Sequence, residues 1–263
     1  MPQNCIYTEV LQSLLDANQI QRDMSIIVSC GDKTDADVLR ELKFENVVIC
    51  NVDSRINGAD FSPFSWDLQD AENLQYQDKT FDFGIVYRGL HHCYSPHKAL
   101  LELVRVTKTG LVLFEPHDNL ISRMGIFLGF GQDFEHASVF YNGCKFGGVK
   151  NGPIPNYIYR WTEAEIKKII SAMNAWGKSQ FIFTYKMIIP WTQLNGRKKW
   201  WVSYLAKLVS PILKGVTFFF PRQSNNFAAV ILHPRMPEDL YPWLKVNEGE
   251  VEVDPVWLGK QYK

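Results

Sequence analysis

The chain has 263 residues, enough for one large domain or a domain carrying insertions. Lys+Arg and Asp+Glu number 28 each, so the formal net charge is zero and the basic excess of a general nucleic-acid binder is missing. The five cysteines (Cys5, Cys30, Cys50, Cys93 and Cys144) are odd in number, scattered and form no C-x-x-C pair, which speaks against a zinc or disulfide framework and fits a reducing cytoplasm.

The first twenty residues carry no basic start followed by an apolar run, so no secretory signal is expected. Tyr7 to Asn18 reads as a short amphipathic helix capped by Thr8, with Val10, Leu11, Leu14 and Leu15 on its apolar face. Ile26-Ile27-Val28 then has the form of a buried parallel strand. It breaks at Ser29-Cys30-Gly31-Asp32, after which Asp35, Val38, Leu39 and Leu42 recur at helical spacing. In open α/β sheets, ligands lie beyond the carboxyl ends of the strands, where a turn feeds a helix. Residues 29–35 therefore read either as the floor of a cofactor site or as an ordinary βα turn. A dinucleotide fingerprint would need three glycines, and only Gly31 is present.

Residues 46–53 read as a second buried strand ending in Asp53, about 20 residues after the turn, the spacing at which a carboxylate meets ribose hydroxyls. An irregular segment with Pro63 and Trp66 follows, with a short third strand near Ser65-Trp66-Asp67-Leu68 and Asp70 beyond its end. The clearest strand is Phe81 to Tyr87, ending at Arg88-Gly89-Leu90-His91-His92. Pro96 suits the first position of the next helix. Ala99, Leu100, Leu103 and Val104 supply its buried stripe, Thr109-Gly110 ends it, and Leu111 to Phe114 forms a fifth strand closing on Glu115-Pro116. Alternating strands and helices predict a doubly wound α/β sheet.

Over residues 24–116 the chain resembles a class I, S-adenosylmethionine-dependent methyltransferase of the broad small-molecule type. The turn Ser29-Cys30-Gly31-Asp32-Lys33 stands where that family has G-C-G-x-G. Asp70-Ala71-Glu72-Asn73-Leu74 with Phe81-Asp82 resembles its D-A-x-x-L-P…F-D block, and Gly89-Leu90-His91-His92 with Leu101 to Val106 its L-H-H…L-x-E-x-x-R-V block. The resemblance implies a Rossmann-like, mostly parallel seven-stranded sheet with an antiparallel last strand. It also implies S-adenosylmethionine as cofactor, with S-adenosylhomocysteine as product. By it, Ser29, Cys30, Gly31 and Asp32 approach the methionine part, Asp53 binds the ribose, and Asp70 with Ala71 faces the adenine. Arg88, Gly89 and Leu90 line the methionyl side. Ser29 and Lys33 depart from the family's outer glycines, which leaves less backbone room.

Methyl transfer from a sulfonium is an in-line displacement that needs a well-placed nucleophile. For a hydroxyl nucleophile a base is needed, and His91 and His92 at the tip of the fourth strand are the candidates, beside a reading in which they only shape the pocket. Residues 117–160 read as a glycine-rich substrate lid containing His136, a further candidate base with Glu135 or Asp133. No compact metal motif is present, and no metal is expected.

Thr162 with Glu165 forms a capping box that opens the next helix. Residues 181–189 and 226–232 read as the sixth and seventh strands. Between them lies a helical insertion over 196–220, aromatic and apolar, with Arg197, Lys198, Lys199, Lys207 and Lys214 and no acid. Lys207, Pro211 and Lys214 interrupt it, which argues against a transmembrane helix. It reads as a packed insert, a homodimer contact, or a basic amphipathic helix on an anionic membrane or lipid-linked substrate. Residues 233–263 read as a tail along the surface.

The whole therefore reads as one methyltransferase domain in four parts: a cofactor-binding half (1–116), a lid (117–160), a C-terminal half with the helical insertion (161–232) and a tail (233–263). The expected activity is methyl transfer to a small-molecule or glycan acceptor, at oxygen, in the cytoplasm and in small-molecule biosynthesis. A degenerate fold acting as a binding or scaffold protein is the alternative, and a nicotinamide-dependent oxidoreductase the third reading.

Overall fold

A computed structural model describes residues 5–196 and 200–262. Helix α1 (Cys5–Asp16) leads into β1 (Ser25–Ser29), α2 (Lys33–Glu41), β2 (Asn46–Asn51), β3 (Ser65–Leu68), β4 (Phe81–Tyr87), α3 (Pro96–Val106) and β5 (Thr107–Pro116). Residues 117–160, expected above to be a lid, hold α4 (Leu120–Phe127) and α5 (His136–Tyr141). Then come α6 (Glu163–Met173), β6 (Gln180–Lys186), α7 (Trp191–Asn195), α8 (Trp200–Phe219) and β7 (Asn226–Leu232), and the tail closes with β8 (Leu244–Asn247), β9 (Glu250–Val253) and α9 (Pro255–Gly259).

The seven-stranded sheet has the order β3-β2-β1-β4-β5-β7-β6, parallel except for β7, which runs antiparallel to both neighbours. The strand order reverses between β1 and β4, so the tips of β1, β2 and β4 open onto one crevice. Continuous apolar strands bury both sheet faces. Ile26, Val28, Ile85 and Val112 pack under α1 and α2, while Ile27, Val86, Leu111 and Leu113 pack against α3 and α6.

Local signals explain the helix starts. Ser95 caps α3 with Pro96 in the first turn, and Thr162 and Glu165 form the expected box on α6. Several boundaries differ from the sequence reading, β2 ending already at Asn51 and β6 at Lys186. Thr8 lies inside α1, not at its start, because the helix already begins at Cys5. Thr109 and Gly110 belong to β5, and α3 stops at Val106, where Thr107 turns extended.

Helix α8 is continuous through Pro211, and its stretch Trp201–Phe219 is long and apolar enough to cross a membrane by length and composition. Val202 and Ala206 pack it against Phe130, Ile189 and Trp191, while most of its remaining apolar side chains are exposed. Arg197, Lys198 and Lys199 of the basic insertion lie outside the described residues.

Candidate functional site

The turn after β1 is held by its own neighbours. The Gly31 N–H donates to the Cys50 carbonyl at 2.9 Å, and the Gly31 carbonyl accepts from Asn51 Nδ2 at 3.0 Å. A Cβ at position 31 would stand 2.5 Å from Ile49 Cγ2, and one at position 89 would stand 2.3 Å from Cys30 Cβ. Both glycines thus let two turns and a strand pack together, a role beside the ligand approach that the sequence reading gave them. Ser29 is buried, and Cys30 takes a left-handed backbone. Asp32 caps α2, accepting from the Thr34 N–H, while the Asp32 N–H donates to Asp35. Asp35, fully buried, also accepts from the Tyr7 hydroxyl at 2.7 Å.

Asp53 and Asp70 lie just past the ends of adjacent parallel strands, β2 and β3. One lid turn touches both. Asn151 Nδ2 donates to Asp53 Oδ2 at 2.6 Å, and Lys150 Nζ pairs with Asp70 Oδ2 at 2.6 Å and with Glu72 Oε2 at 3.2 Å. Lys150 and Asn151 both hold left-handed φ, so the turn is folded tightly into this position. Arg55 adds a bidentate pair to Asp53 and stacks over the Phe146 ring. Hydrogen bonds from Arg55 hold the Asp53 carboxyl below its usual range against the opposing effect of burial. Ala71 is buried beneath this turn, and Glu72, unremarked in the sequence, accepts from the Tyr94 and Ser95 N–H groups.

Beyond β4, Arg88 is exposed with a left-handed φ, and its N–H donates to the Phe114 carbonyl. Gly89 and Leu90 are buried, and the Leu90 N–H donates to Glu115 Oε1 at 2.8 Å. His91, also buried, has its Nδ1 2.7 Å from Glu115 Oε2 and its Nε2 3.5 Å from Glu135 Oε2. Burial alone would lower the His91 pKa, but the two carboxylates outweigh it and raise it to about 9. His92 faces the same Glu135 oxygen at 3.4 Å, and burial and the charge of His91 lower its pKa. Glu135 is driven down to about 2, the pull of His91 overcoming burial. His136 is exposed on α5 with its ring near Phe134, so it is its neighbour Glu135 that joins His91 and His92. Glu115 was passed over in the sequence; an acid following a four-residue apolar strand was the signal that could have marked it.

A family model described as a methyltransferase domain matches residues 28–114. Over those residues the chain is similar to a methyltransferase domain, and the match spans about a third of its length. Solved structures agree on the fold. A crystal structure of a putative methyltransferase from Bacillus halodurans is 12% identical with a TM-score of 0.51, covering 86% of this chain and 100% of that one. The YcgJ protein of Bacillus subtilis is likewise 12% identical with a TM-score of 0.51, covering 86% of this chain and 99% of that one. No curated protein matches. The cofactor of such a methyltransferase domain is S-adenosylmethionine. Asp53 and Asp70 both accept from the turn of Lys150 and Asn151.

Proposed function

We propose that the chain transfers a methyl group from S-adenosylmethionine to a hydroxyl of a small-molecule or glycan acceptor. The observation that carries the reading is the convergence of Asp53 and Asp70 on one place within the matched domain. Asp53 would accept from the ribose diol and Asp70 from the adenine amino group. The cofactor supplies an activated methyl group. The chain's own part is to seat the nucleoside and to hold the acceptor at the tip of β4 beneath the lid, in a space from which water is displaced. There the acceptor's proton meets the His91–His92–Glu135 cluster, in which His92 is the histidine with a surface-reaching ring. S-adenosylhomocysteine binding by calorimetry tests the reading; one-to-one binding is expected, and no binding by the intact chain overturns it.

A second reading has its own observation. Lys150 and Asn151 occupy the two carboxylates with the chain's own donors, as in a degenerate methyltransferase fold serving as a binding or scaffold protein. Cofactor binding without turnover of any hydroxylated acceptor would favour it.

The proposal includes a cytoplasmic setting and an anionic membrane surface as a partner. Leu208, Ile212 and Phe218 of α8 are 56%, 65% and 78% exposed, beside Lys207 and Lys214, and the helix contains no acid. Phe127 of α4, which packs beside the turn ending α8, is 89% exposed. A helix lying on the surface there would admit a lipid-linked acceptor.

A further inference from the structure

Three side chains from two distant segments meet above the tip of β4. His91 and His92 come from the short 3₁₀ turn Leu90–His92, and Glu135 comes from the lid at the start of α5, where its carboxylate makes no capping hydrogen bond. Glu135 Oε2 stands 3.5 Å from His91 Nε2 and 3.4 Å from His92 Nε2, and the three ligand atoms lie within 4.8 Å of one another. These separations are long for hydrogen bonds. The two distances from Glu135 are close to the edge of a tetrahedron around an ion with bonds of about 2.0–2.1 Å, an edge of roughly 3.3–3.4 Å.

The far nitrogen of each ring is already engaged. His91 Nδ1 faces Glu115 Oε2 at 2.7 Å, and His92 Nδ1 faces the Gly148 carbonyl at 3.1 Å. A carboxylate and a carbonyl both call for a proton on Nδ1, so Nε2 is the nitrogen of each ring that faces Glu135 and is open to an ion once it displaces the proton on His91 Nε2. Outer partners of this kind fix the tautomer and orientation of metal-binding histidines. Two carboxylates, Glu115 and Glu135, close on this point, and among the described residues no lysine or arginine pairs with either. The amide of Asn156 donates to Glu135 Oε2 at 3.3 Å, and its own buried oxygen has no partner among the described residues.

We propose that His91, His92 and Glu135 hold a divalent transition-metal ion of the zinc class, with an open position for an oxygen ligand. Two imidazoles and one carboxylate suit zinc and its neighbours rather than magnesium or calcium. The identity of that oxygen ligand rests on the methyl-transfer reading: it is the acceptor's hydroxyl. The lone pair on His92 Nε2 cannot serve a cation and the acceptor's proton together. A loaded site would hold the acceptor's hydroxyl and lower its pKa, its proton leaving to solvent as the oxygen takes the methyl group and S-adenosylhomocysteine departs; an empty one leaves His92 to take that proton.

The test is calorimetric titration of the metal-stripped full chain with Zn²⁺, with Co²⁺ as the optical probe. One equivalent should bind, and the Co²⁺ spectrum should lack the thiolate band that capture at Cys30 and Cys93 would give. Glu135→Gln and His92→Gln should each weaken Zn²⁺ binding at least tenfold. Glu135 is the safer variant, since its carboxylate is half-buried and caps no helix; circular dichroism checks that it folds. Saturation at other than one equivalent, a thiolate-ligated Co²⁺ spectrum, or variants within twofold of the parent would overturn the site. S-adenosylhomocysteine titrated into the same samples separates the two claims. Retained nucleoside binding without zinc affinity removes only the cation site, whereas zinc affinity without nucleoside binding removes only the methyl-transfer reading.

Discussion

Asn151 Nδ2 lies 2.6 Å from Asp53 Oδ2, so the turn at residues 150–151 donates to the carboxylate proposed above for the ribose. The preceding residue, Lys150, does the same to Asp70. On the proposed reading, this turn and the nucleoside compete for the same acceptors, and cofactor entry requires the turn to leave.

That competition has a measurable size. Lys150 and Asp70 are each about a third exposed, so their ion pair contributes about 1 kcal/mol or less. Lys150→Ala should tighten S-adenosylhomocysteine binding by a few-fold, up to about fivefold. Weaker binding in the variant would mean that Lys150 holds the ligand rather than excluding it.

Gly31 separates a packing role from a binding role. The added methyl of Gly31→Ala would meet Ile49 and Val28 inside the core, which should cost about 1–3 kcal/mol. The melting temperature of the ligand-free chain should fall accordingly. An unchanged melting temperature with lost nucleoside affinity would restore the glycine to the cofactor.

His233 sets an acid limit on stability. Thr107 Oγ1 donates to the Leu103 carbonyl and so receives the proton of His233 Nε2, while His233 Nδ1 is buried without a partner among the described residues. Burial, with the nearby charge of Lys79, lowers the folded pKa to about 4 from the ordinary 6.5. The folded value lies below the unfolded one, so the stabilisation is complete above about pH 6.5 and is lost as pH falls toward 4. Its full size is about 3 kcal/mol. Urea melts at pH 7 and pH 5 should show a smaller difference in His233→Gln than in the parent; equal differences would contradict this assignment.

Helix α8 makes the membrane proposal testable without knowledge of the acceptor. The chain should co-sediment with vesicles containing phosphatidylserine and bind neutral vesicles more weakly. Ile212→Glu with Phe218→Glu should abolish sedimentation, because both apolar side chains are exposed on the helix. Undiminished sedimentation of this double variant would place the contact elsewhere.

Much of the architecture was legible because local chemistry decided it. Strands β3, β4 and β7 fall where apolar runs and turn residues put them, and Ser95-Pro96 and Thr162…Glu165 mark real helix starts. The tips of β2 and β3 follow from strand length alone. What was not legible depends on long-range closure. His92 meets Glu135 and Gly148 only because the lid folds back across the sheet, and no spacing rule connects residues so far apart in sequence. Gly31 is ambiguous for a related reason. A glycine in a βα turn serves close packing and close ligand approach equally well, and the position of Ile49 adds the packing role that the sequence could not show.

The dissociation constant of S-adenosylhomocysteine, measured by calorimetry for the parent, Asp53→Asn and Asp70→Asn in a Lys150→Ala background, bears most directly on the central claim. Hydrogen bonds to charged groups contribute about 1.5–3 kcal/mol, so each carboxylate's loss should weaken binding by about tenfold or more. Affinities unchanged by both substitutions would contradict a nucleoside seated between the tips of β2 and β3.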